Sequence, residues 1–185
     1  MSLRILGLCG SLRAASFNRA VLRFTGDALG ADAQFSIADI RDIPHYDGDL
    51  DGEEKPASVL RLSSAIAECD ALLIATPEYN YGIPGVLKNA IDWVSRPAYR
   101  SVLAGKPAAI VGASPGAVGT ARAQGQLRQI LGGTLTPIFP HPEVLVGGVA
   151  AKVQAGALTD TSTREHLEKY AKAFAAWVTA AGASR

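Results

Sequence analysis

Short apolar runs alternate along the chain with longer stretches in which apolar residues recur at helical spacing. The first run, residues 3–8, is almost continuously apolar, as expected of a central parallel strand. Further strands are predicted over 34–38, 71–75 and 108–112, and an interrupted fifth strand over 135–139 and 144–146. Because helical periodicity follows each strand, the pattern predicts βαβ units and a parallel sheet covered by helices on both faces.

Five strands and five helices in alternation predict a single α/β domain over residues 1–185, with a flavodoxin-like, doubly wound five-stranded parallel sheet of order 2-1-3-4-5. Ligands of such sheets bind where the first and third strands diverge. We therefore expect the loops after these strands, residues 9–18 and 76–83, to share one crevice.

The pattern also predicts one long loop, the start of the third helix and the surroundings of that helix. Residues 39–56 are rich in Asp, Gly and Pro, which indicates a surface loop. Pro84 is expected in the first turn of the helix that follows it. The helical stretch 86–94 is apolar on two faces, so we expect two different surfaces to cover it.

Composition narrows the class of protein. The chain has 185 residues, a net charge of +1 and 48% hydrophobic residues, which fit one compact domain and argue against a nucleic-acid binder. No apolar run approaches the ~20 residues of a membrane span, and the start of the chain lacks a signal-peptide pattern, so a cytoplasmic protein is expected. Cys9 and Cys69 have no CxxC spacing and the three histidines are isolated, so no metal site is predicted.

The loop after the first strand is suited to an anion. Residues 11–18 read Ser-Leu-Arg-Ala-Ala-Ser-Phe-Asn and stand before a helix. Backbone N–H groups at the helix start, together with the side chains of Ser11, Arg13, Ser16 and Asn18, can donate hydrogen bonds to a phosphate. Ser16 or Asn18 as an ordinary helix cap is the alternative. The loop has neither GxGxxG nor the Walker spacing, which disfavours a dinucleotide fold or a P-loop NTPase.

The loop after the third strand is suited to a flat aromatic ligand. Residues 76–85 combine two prolines with Tyr79 and Tyr81, whose rings can form stacking walls. Glu78 is interpreted as a solvated carboxylate and not as a general base. Ser114, in the glycine-rich stretch 112–119, is expected at the same edge. Since no catalytic triad, carboxylate pair or metal cluster is recognisable, the chemistry is expected to come from a bound cofactor.

Two segments carry a resemblance to a known family. Residues 11–18 and the longer segment 77–93, Pro-Glu-Tyr-Asn-Tyr-Gly-Ile-Pro-Gly-Val-Leu-Lys-Asn-Ala-Ile-Asp-Trp, closely resemble the NAD(P)H-dependent FMN reductases, which include quinone, chromate and azo-dye reductases. The likeness extends over nearly the full chain. It implies a flavodoxin-like fold that holds FMN non-covalently, with NADPH or NADH as co-substrate.

The resemblance also implies which residues bind the cofactor. The phosphate is expected on the first loop, the isoalloxazine on the second, with a contribution from the third, so that the expected residues are Ser11, Arg13, Ser16, Phe17, Asn18, Pro77, Glu78, Tyr79, Asn80, Tyr81, Ser114 and Gly116. A homodimer is implied, and the two apolar faces of the stretch 86–94 fit one. The resemblance also implies a homotetramer, although Gly125 departs from the bulkier residue expected in close relatives with tetrameric contacts.

The function expected on this basis is a ping-pong oxidoreductase that passes electrons from NAD(P)H to quinones, flavins or similar small acceptors. The alternative is a flavin-binding electron shuttle or regulatory module without NAD(P)H turnover. The near-neutral net charge favours small diffusible substrates, since carriers that dock on proteins often use a strong charge field.

Overall fold

The sheet has the predicted topology. The computed structural model describes residues 2–183. Five parallel strands lie in the order β2-β1-β3-β4-β5, and in the centre Ile5 is paired with Phe35 on one side and Ala71 on the other. The strands are β1 (Leu3–Cys9), β2 (Ala33–Ala38), β3 (Ala71–Ala75), β4 (Ala108–Ala113) and β5 (Val144–Val146).

Helices cover both faces of this sheet. The helices are α1 (Phe17–Asp27), α2 (Ala57–Glu68), α3 (Gly85–Val94), α4 (Ala121–Gly133) and α5 (Thr161–Ala183). Buried side chains of α1 and α5 form one core with the sheet, and those of α2, α3 and α4 form the core on the opposite face. Every residue of β3 and β4 is buried, which explains why these strands read as unbroken apolar runs.

The fifth strand is shorter than predicted. Residues 135–139 form no strand and make a single parallel bridge, Ile138 to Ala108. Between this bridge and β5, the hydroxyl of Tyr170 donates to the carbonyl of Ile110 at 3.0 Å and accepts from its N–H at 3.2 Å. A side chain from α5 therefore satisfies the β4 backbone where the interrupted strand leaves it without a partner.

An additional two-stranded hairpin follows the sheet. Its antiparallel strands are β6 (Val153–Gln154) and β7 (Ala157–Leu158). The sequence analysis missed it because two-residue strands are too short to show an alternating pattern.

The loop of residues 39–56 is more firmly packed than predicted. Ile40 is buried in the core under α2 and α3. The indole of Trp93 and the side-chain amide of Asn89 both donate to the carbonyl of Pro44 at 2.8 Å, and the Tyr46 ring packs edge-on against Trp93. The loop thus covers the second apolar face of α3, so this face gives no evidence of a partner subunit.

The start of α3 differs from the prediction. Pro84 is the N-cap residue of α3, in an extended conformation, and not a residue of its first turn as predicted.

Within residues 2–183, no helix is both long enough and apolar enough to cross a membrane.

Candidate functional site

Three loops meet at the carboxyl edge of the sheet. The N–H of Gly10 donates to the carbonyl of Ala75, and a Cβ at Gly10 would lie 3.2 Å from the Pro77 ring. This close approach joins the loop after β1 to the loop after β3, as the topology predicts. The cleft between them is lined by Ser11, Arg13, Ser16, Phe17, Asn18, Pro77, Glu78, Tyr79, Ala113, Ser114 and Pro115. Of the predicted residues, Asn80, Tyr81 and Gly116 lie outside this lining.

The first loop presents many hydrogen-bond donors without protein partners. In the part of the chain that the structure describes, the backbone N–H groups from Ser11 to Ser16 make no hydrogen bond to another backbone group. Ser11 is buried, yet its hydroxyl makes no hydrogen bond within the described residues. Arg13 is exposed and forms no ion pair among them. A loop with this many available donors at a helix start is suited to an anion.

Ser16 has a structural role as well as a position in the cleft. It is the N-cap residue of α1, and its Oγ accepts from the N–H of Arg19 at 3.2 Å. The helix-cap interpretation is therefore correct for Ser16. Its hydroxyl proton is not needed for this contact, so the same side chain can still donate to a ligand.

Asn18 joins the first loop to the third. Its side chain is buried, and it donates to the carbonyl of Ala113 at 2.8 Å and accepts from the N–H of the same residue at 2.9 Å. One amide proton is left for a ligand. Asn18 therefore fixes the end of β4 against the start of α1.

The third loop is held by backbone contacts to β5 and the segment after it. The N–H of Ser114 donates to Val146, and the carbonyl of Ser114 accepts from Val149. The Ser114 hydroxyl accepts from the N–H of Gly116 at 3.1 Å. These contacts place Ser114 at the cleft, while Gly116 lies exposed beyond it.

The second loop contains a tight turn. Tyr79 and Gly82 exchange two backbone hydrogen bonds of 3.0 Å. The two central residues have positive φ, 49° at Asn80 and 69° at Tyr81, as in a type I′ turn. A tyrosine in the left-handed region costs roughly 1–2 kcal/mol, so surrounding contacts are needed to keep it there.

Glu78 is not the solvated carboxylate that the sequence suggested. Its side chain is only 7% exposed. One carboxylate oxygen accepts from the N–H groups of Arg122 and Ala123 at 3.0 and 3.2 Å, in the first turn of α4, and the other pairs with the Arg122 guanidinium. Glu78 caps α4 from a different loop, because Thr120, the N-cap residue, makes no side-chain hydrogen bond to the helix start.

The charge of Glu78 is stabilised in place. Burial works to raise the pKa of its carboxyl, but the hydrogen bonds and charge of Arg122, with the Ala123 N–H, outweigh burial and lower the pKa. The carboxylate is therefore ionised at neutral pH and unsuited to act as a proton donor.

Two residues of α4 that sequence reasoning missed support the turn. The guanidinium of Arg122 lies over the Tyr81 ring, 3.9 Å from its centroid, and Gln126 accepts from the N–H of Ile83 at 2.7 Å. Both lie more than 40 residues from their partners. No local spacing could have revealed them.

Gly112 is required by close packing beneath the site. A Cβ there would lie 1.8 Å from the Thr120 hydroxyl and 2.8 Å from the backbone oxygen of Thr76. Gln124, fully buried beside it, donates to Thr120 and to the carbonyl of Val144. The strand ends β3, β4 and β5 and the start of α4 therefore converge without space for a side chain at this position.

The cysteines and the possible metal ligands among residues 2–183 do not form a second functional site. Cys9 and Cys69 are both buried. Within residues 2–183, no three His, Cys, Asp or Glu side chains lie close enough together to hold a metal ion.

The fold and the cleft define a flavodoxin-like protein in which a loop with unpaired donors lies beside a tight turn. The NADPH-dependent FMN reductase family model matches residues 3–151. A curated relative, the NAD(P)H-dependent FMN reductase of Pseudomonas aeruginosa, is 43% identical over 179 residues, covering 95% of each chain. A 2-hydroxy-1,4-benzoquinone reductase of a Burkholderia species is 40% identical over 179 residues, covering 96% of this chain and 97% of the relative.

A solved structure agrees with these relatives. FerB, a flavoenzyme NAD(P)H:(acceptor) oxidoreductase of Paracoccus denitrificans, is 38% identical and superposes with a TM-score of 0.87 over 96% of this chain and 97% of FerB. The chain belongs to the NADPH-dependent FMN reductase family. It is an oxidoreductase that uses FMN, with NAD(P)H as co-substrate.

Proposed function

We propose that the chain catalyses electron transfer from NAD(P)H to quinones or similar small acceptors by a ping-pong mechanism, in which the nicotinamide product leaves before the acceptor binds. The cleft is the observation that supports this proposal most directly. In it, the first loop with its unpaired donors faces the turn that contains Tyr79. Relatives at about 40% identity named for quinone and FMN reduction support the choice of substrates.

The residues of the cleft fit FMN. A phosphate monoester carries about −1.5 to −2 charges at neutral pH, and the first loop offers unpaired N–H groups, the Ser11 and Ser16 hydroxyls and the Arg13 guanidinium. Pro77 and Tyr79 line the other side with apolar surface for a flat ring. Bound there, FMN supplies the two-electron chemistry that the side chains of the cleft do not offer.

The chain's own contribution is positioning. The Asn18 contact to Ala113 fixes the first loop against the third, and Glu78 fixes the second loop against α4. Donor and acceptor atoms need to approach within about 3–3.5 Å for transfer, so small displacements of these loops are costly. We assign no residue as a proton donor, since the pKa of Glu78, the carboxyl in the cleft, is lowered.

Assembly is a further part of the proposal. Tyr79 and Tyr81 are exposed to 49% and 72% at the rim of the cleft, although aromatic residues favour burial. We propose that a second copy of the chain covers this rim in a homodimer, and that the protein works in the cytoplasm. Sedimentation analysis of the FMN-loaded protein tests the dimer.

Steady-state kinetics test the function. FMN-loaded protein is mixed with NADPH or NADH and a benzoquinone, and both substrates are varied. The proposal predicts catalytic oxidation of the nucleotide and parallel lines in a double-reciprocal plot. A protein that binds FMN yet oxidises neither nucleotide catalytically is an electron shuttle or regulatory module, and this result would overturn the proposal. Intersecting lines would reject the ping-pong order alone.

A further inference from the structure

A second cavity adjoins the cofactor cleft on the side of α1. It has a volume of about 250 Å³ and shares Ser16 and Phe17 with the cleft. It lies between the first loop, α1 and the β6–β7 hairpin, and no acidic residue lines it. Its lining is Ala14, Ala15, Ser16, Phe17, Arg19, Ala20, Arg23, Val153, Ala155 and Gly156.

Two arginines give this cavity its charge. Arg19 and Arg23 are four residues apart on α1, so they lie on the same face of the helix. Neither forms an ion pair with a carboxylate among residues 2–183, and the first turn of α1 contains no acidic residue. Both guanidinium groups are therefore available to a ligand from solution.

Two unpaired guanidinium groups match a ligand group that carries close to two negative charges. A phosphate monoester is close to a dianion at neutral pH, whereas each phosphate of a diester or pyrophosphate linkage carries a single charge. Arginine also binds phosphate oxygens through two parallel hydrogen bonds, which lysine does not provide. The cavity is therefore suited to a terminal phosphate monoester close to the cofactor.

We propose that the Arg19–Arg23 cavity binds the 2′-phosphate of NADPH, so that the enzyme prefers NADPH to NADH. The inference rests on the proposed function and names the co-substrate of that site. NADPH differs from NADH by this one phosphate monoester. The shared residues Ser16 and Phe17 place the cavity next to the cleft. In the proposal, the nicotinamide lies in the cleft and the extended dinucleotide reaches from there to the cavity.

A binding measurement without turnover tests the site. FMN-loaded, oxidised protein is titrated calorimetrically with NADP+, which carries the 2′-phosphate, and with NAD+, which has no phosphate monoester. The proposal predicts tighter binding of NADP+, and a loss of about tenfold in its affinity in Arg19→Ala and in Arg23→Ala with no change for NAD+.

A control variant separates the local effect from the general loss of a positive charge. Arg61→Ala removes an exposed arginine from α2, on the opposite face of the sheet. It is expected to leave both affinities unchanged. Equal affinities for the two probes in the wild type, or equal losses in R61A and R19A, would overturn the proposal.

Kinetics provide the second readout. In R19A and R23A the KM for NADPH should rise about tenfold, while the KM for NADH and the affinity for FMN stay as in the wild type. If neither nucleotide is oxidised by the wild type, the proposed function fails, and the calorimetric comparison still decides whether the cavity binds a 2′-phosphate. If R19A and R23A raise the KM for NADPH and the KM for NADH equally, the proposed site is wrong while the oxidoreductase function stands.

Discussion

The side chain of Asn18 and the backbone of Ala113, 95 residues apart in sequence, exchange two hydrogen bonds of 2.8 and 2.9 Å. In Asn18→Ala both backbone groups of Ala113 lose this partner in a buried position. We expect the free energy of unfolding to fall by about 2–4 kcal/mol and FMN to bind more weakly, because the first and third loops separate. Urea unfolding and FMN titration measure the two effects.

Gln129→Ala is the matched control for Asn18, since it removes an amide from an exposed position on α4. Its effect on stability should stay within about 0.5 kcal/mol. Equal stabilities of N18A and Q129A would contradict the role assigned to Asn18.

Glu78 should make stability depend on pH in the acid range. Burial alone would raise its pKa, but Arg122 and the α4 N–H groups lower it below 4.5, the ordinary glutamate value. A lowered pKa stabilises the fold above that ordinary value, and the stabilisation is lost as the pH falls through the folded pKa. Glu78→Gln should therefore be less stable than wild type by about 1–2 kcal/mol at pH 7, with the difference shrinking as the pH falls below 4.5.

Glu53→Gln, on an exposed loop, serves as the control for that comparison. It should follow the wild-type pH profile. A wild-type advantage over E78Q that is constant from pH 7 down to the acid transition would show that the charge of Glu78 does not cap α4.

Tyr170 should make stability depend on pH in the alkaline range. Burial raises its pKa to about 12, from an ordinary value of 10.0. Between these values the unfolded chain has lost a proton that the folded chain retains, so the free energy of unfolding falls as pH rises, by about 2–3 kcal/mol in all. The stability advantage of wild type over Tyr170→Phe should shrink across this range. Urea unfolding at pH 9 and above 11 tests it, and a constant difference would contradict it.

Gly112 and Gly125 should respond oppositely to the same substitution. Gly112→Ala places a Cβ 1.8 Å from the Thr120 hydroxyl and 2.8 Å from backbone of Thr76, so we expect a loss of at least about 3 kcal/mol. Gly125→Ala meets no atom within 4 Å and lies inside α4, so it should stabilise by about 0.5–1 kcal/mol. Thermal unfolding of both variants compares them. Equal changes would show that the packing described around Gly112 is not limiting.

The α/β architecture could be predicted from the sequence because each buried parallel strand appears as a short apolar run between helical patterns. That alternation fits a doubly wound sheet of order 2-1-3-4-5, and this order predicts the crevice between the loops after the first and third strands. The fifth strand was predicted too long, since Tyr170 replaces strand partners at Ile110 from 60 residues away. A side chain that completes a sheet in this way leaves no local pattern.

The candidate site was predictable only in part for the same reason. Ser11, Ser16 and Asn18 lie within eight residues at a strand-to-helix junction, so the sequence alone predicts that they line one cleft, as they do. Glu78 and Arg122 are 44 residues apart, and only the fold brings them together. A glutamate in a polar loop therefore looked solvated although it caps a helix.

In the proposed function, the cleft between the first and second loops binds FMN for reduction by NAD(P)H. The most direct measurement is the visible absorbance of purified protein loaded with FMN under nitrogen, before and after NADPH is added and again after a quinone. The expected result is loss of the flavin absorbance with NADPH and its recovery with quinone, and at least tenfold weaker FMN binding in the Arg13→Ala, Ser16→Ala double variant. Unchanged absorbance on adding NADPH, or unchanged FMN affinity in a folded double variant, would contradict the account.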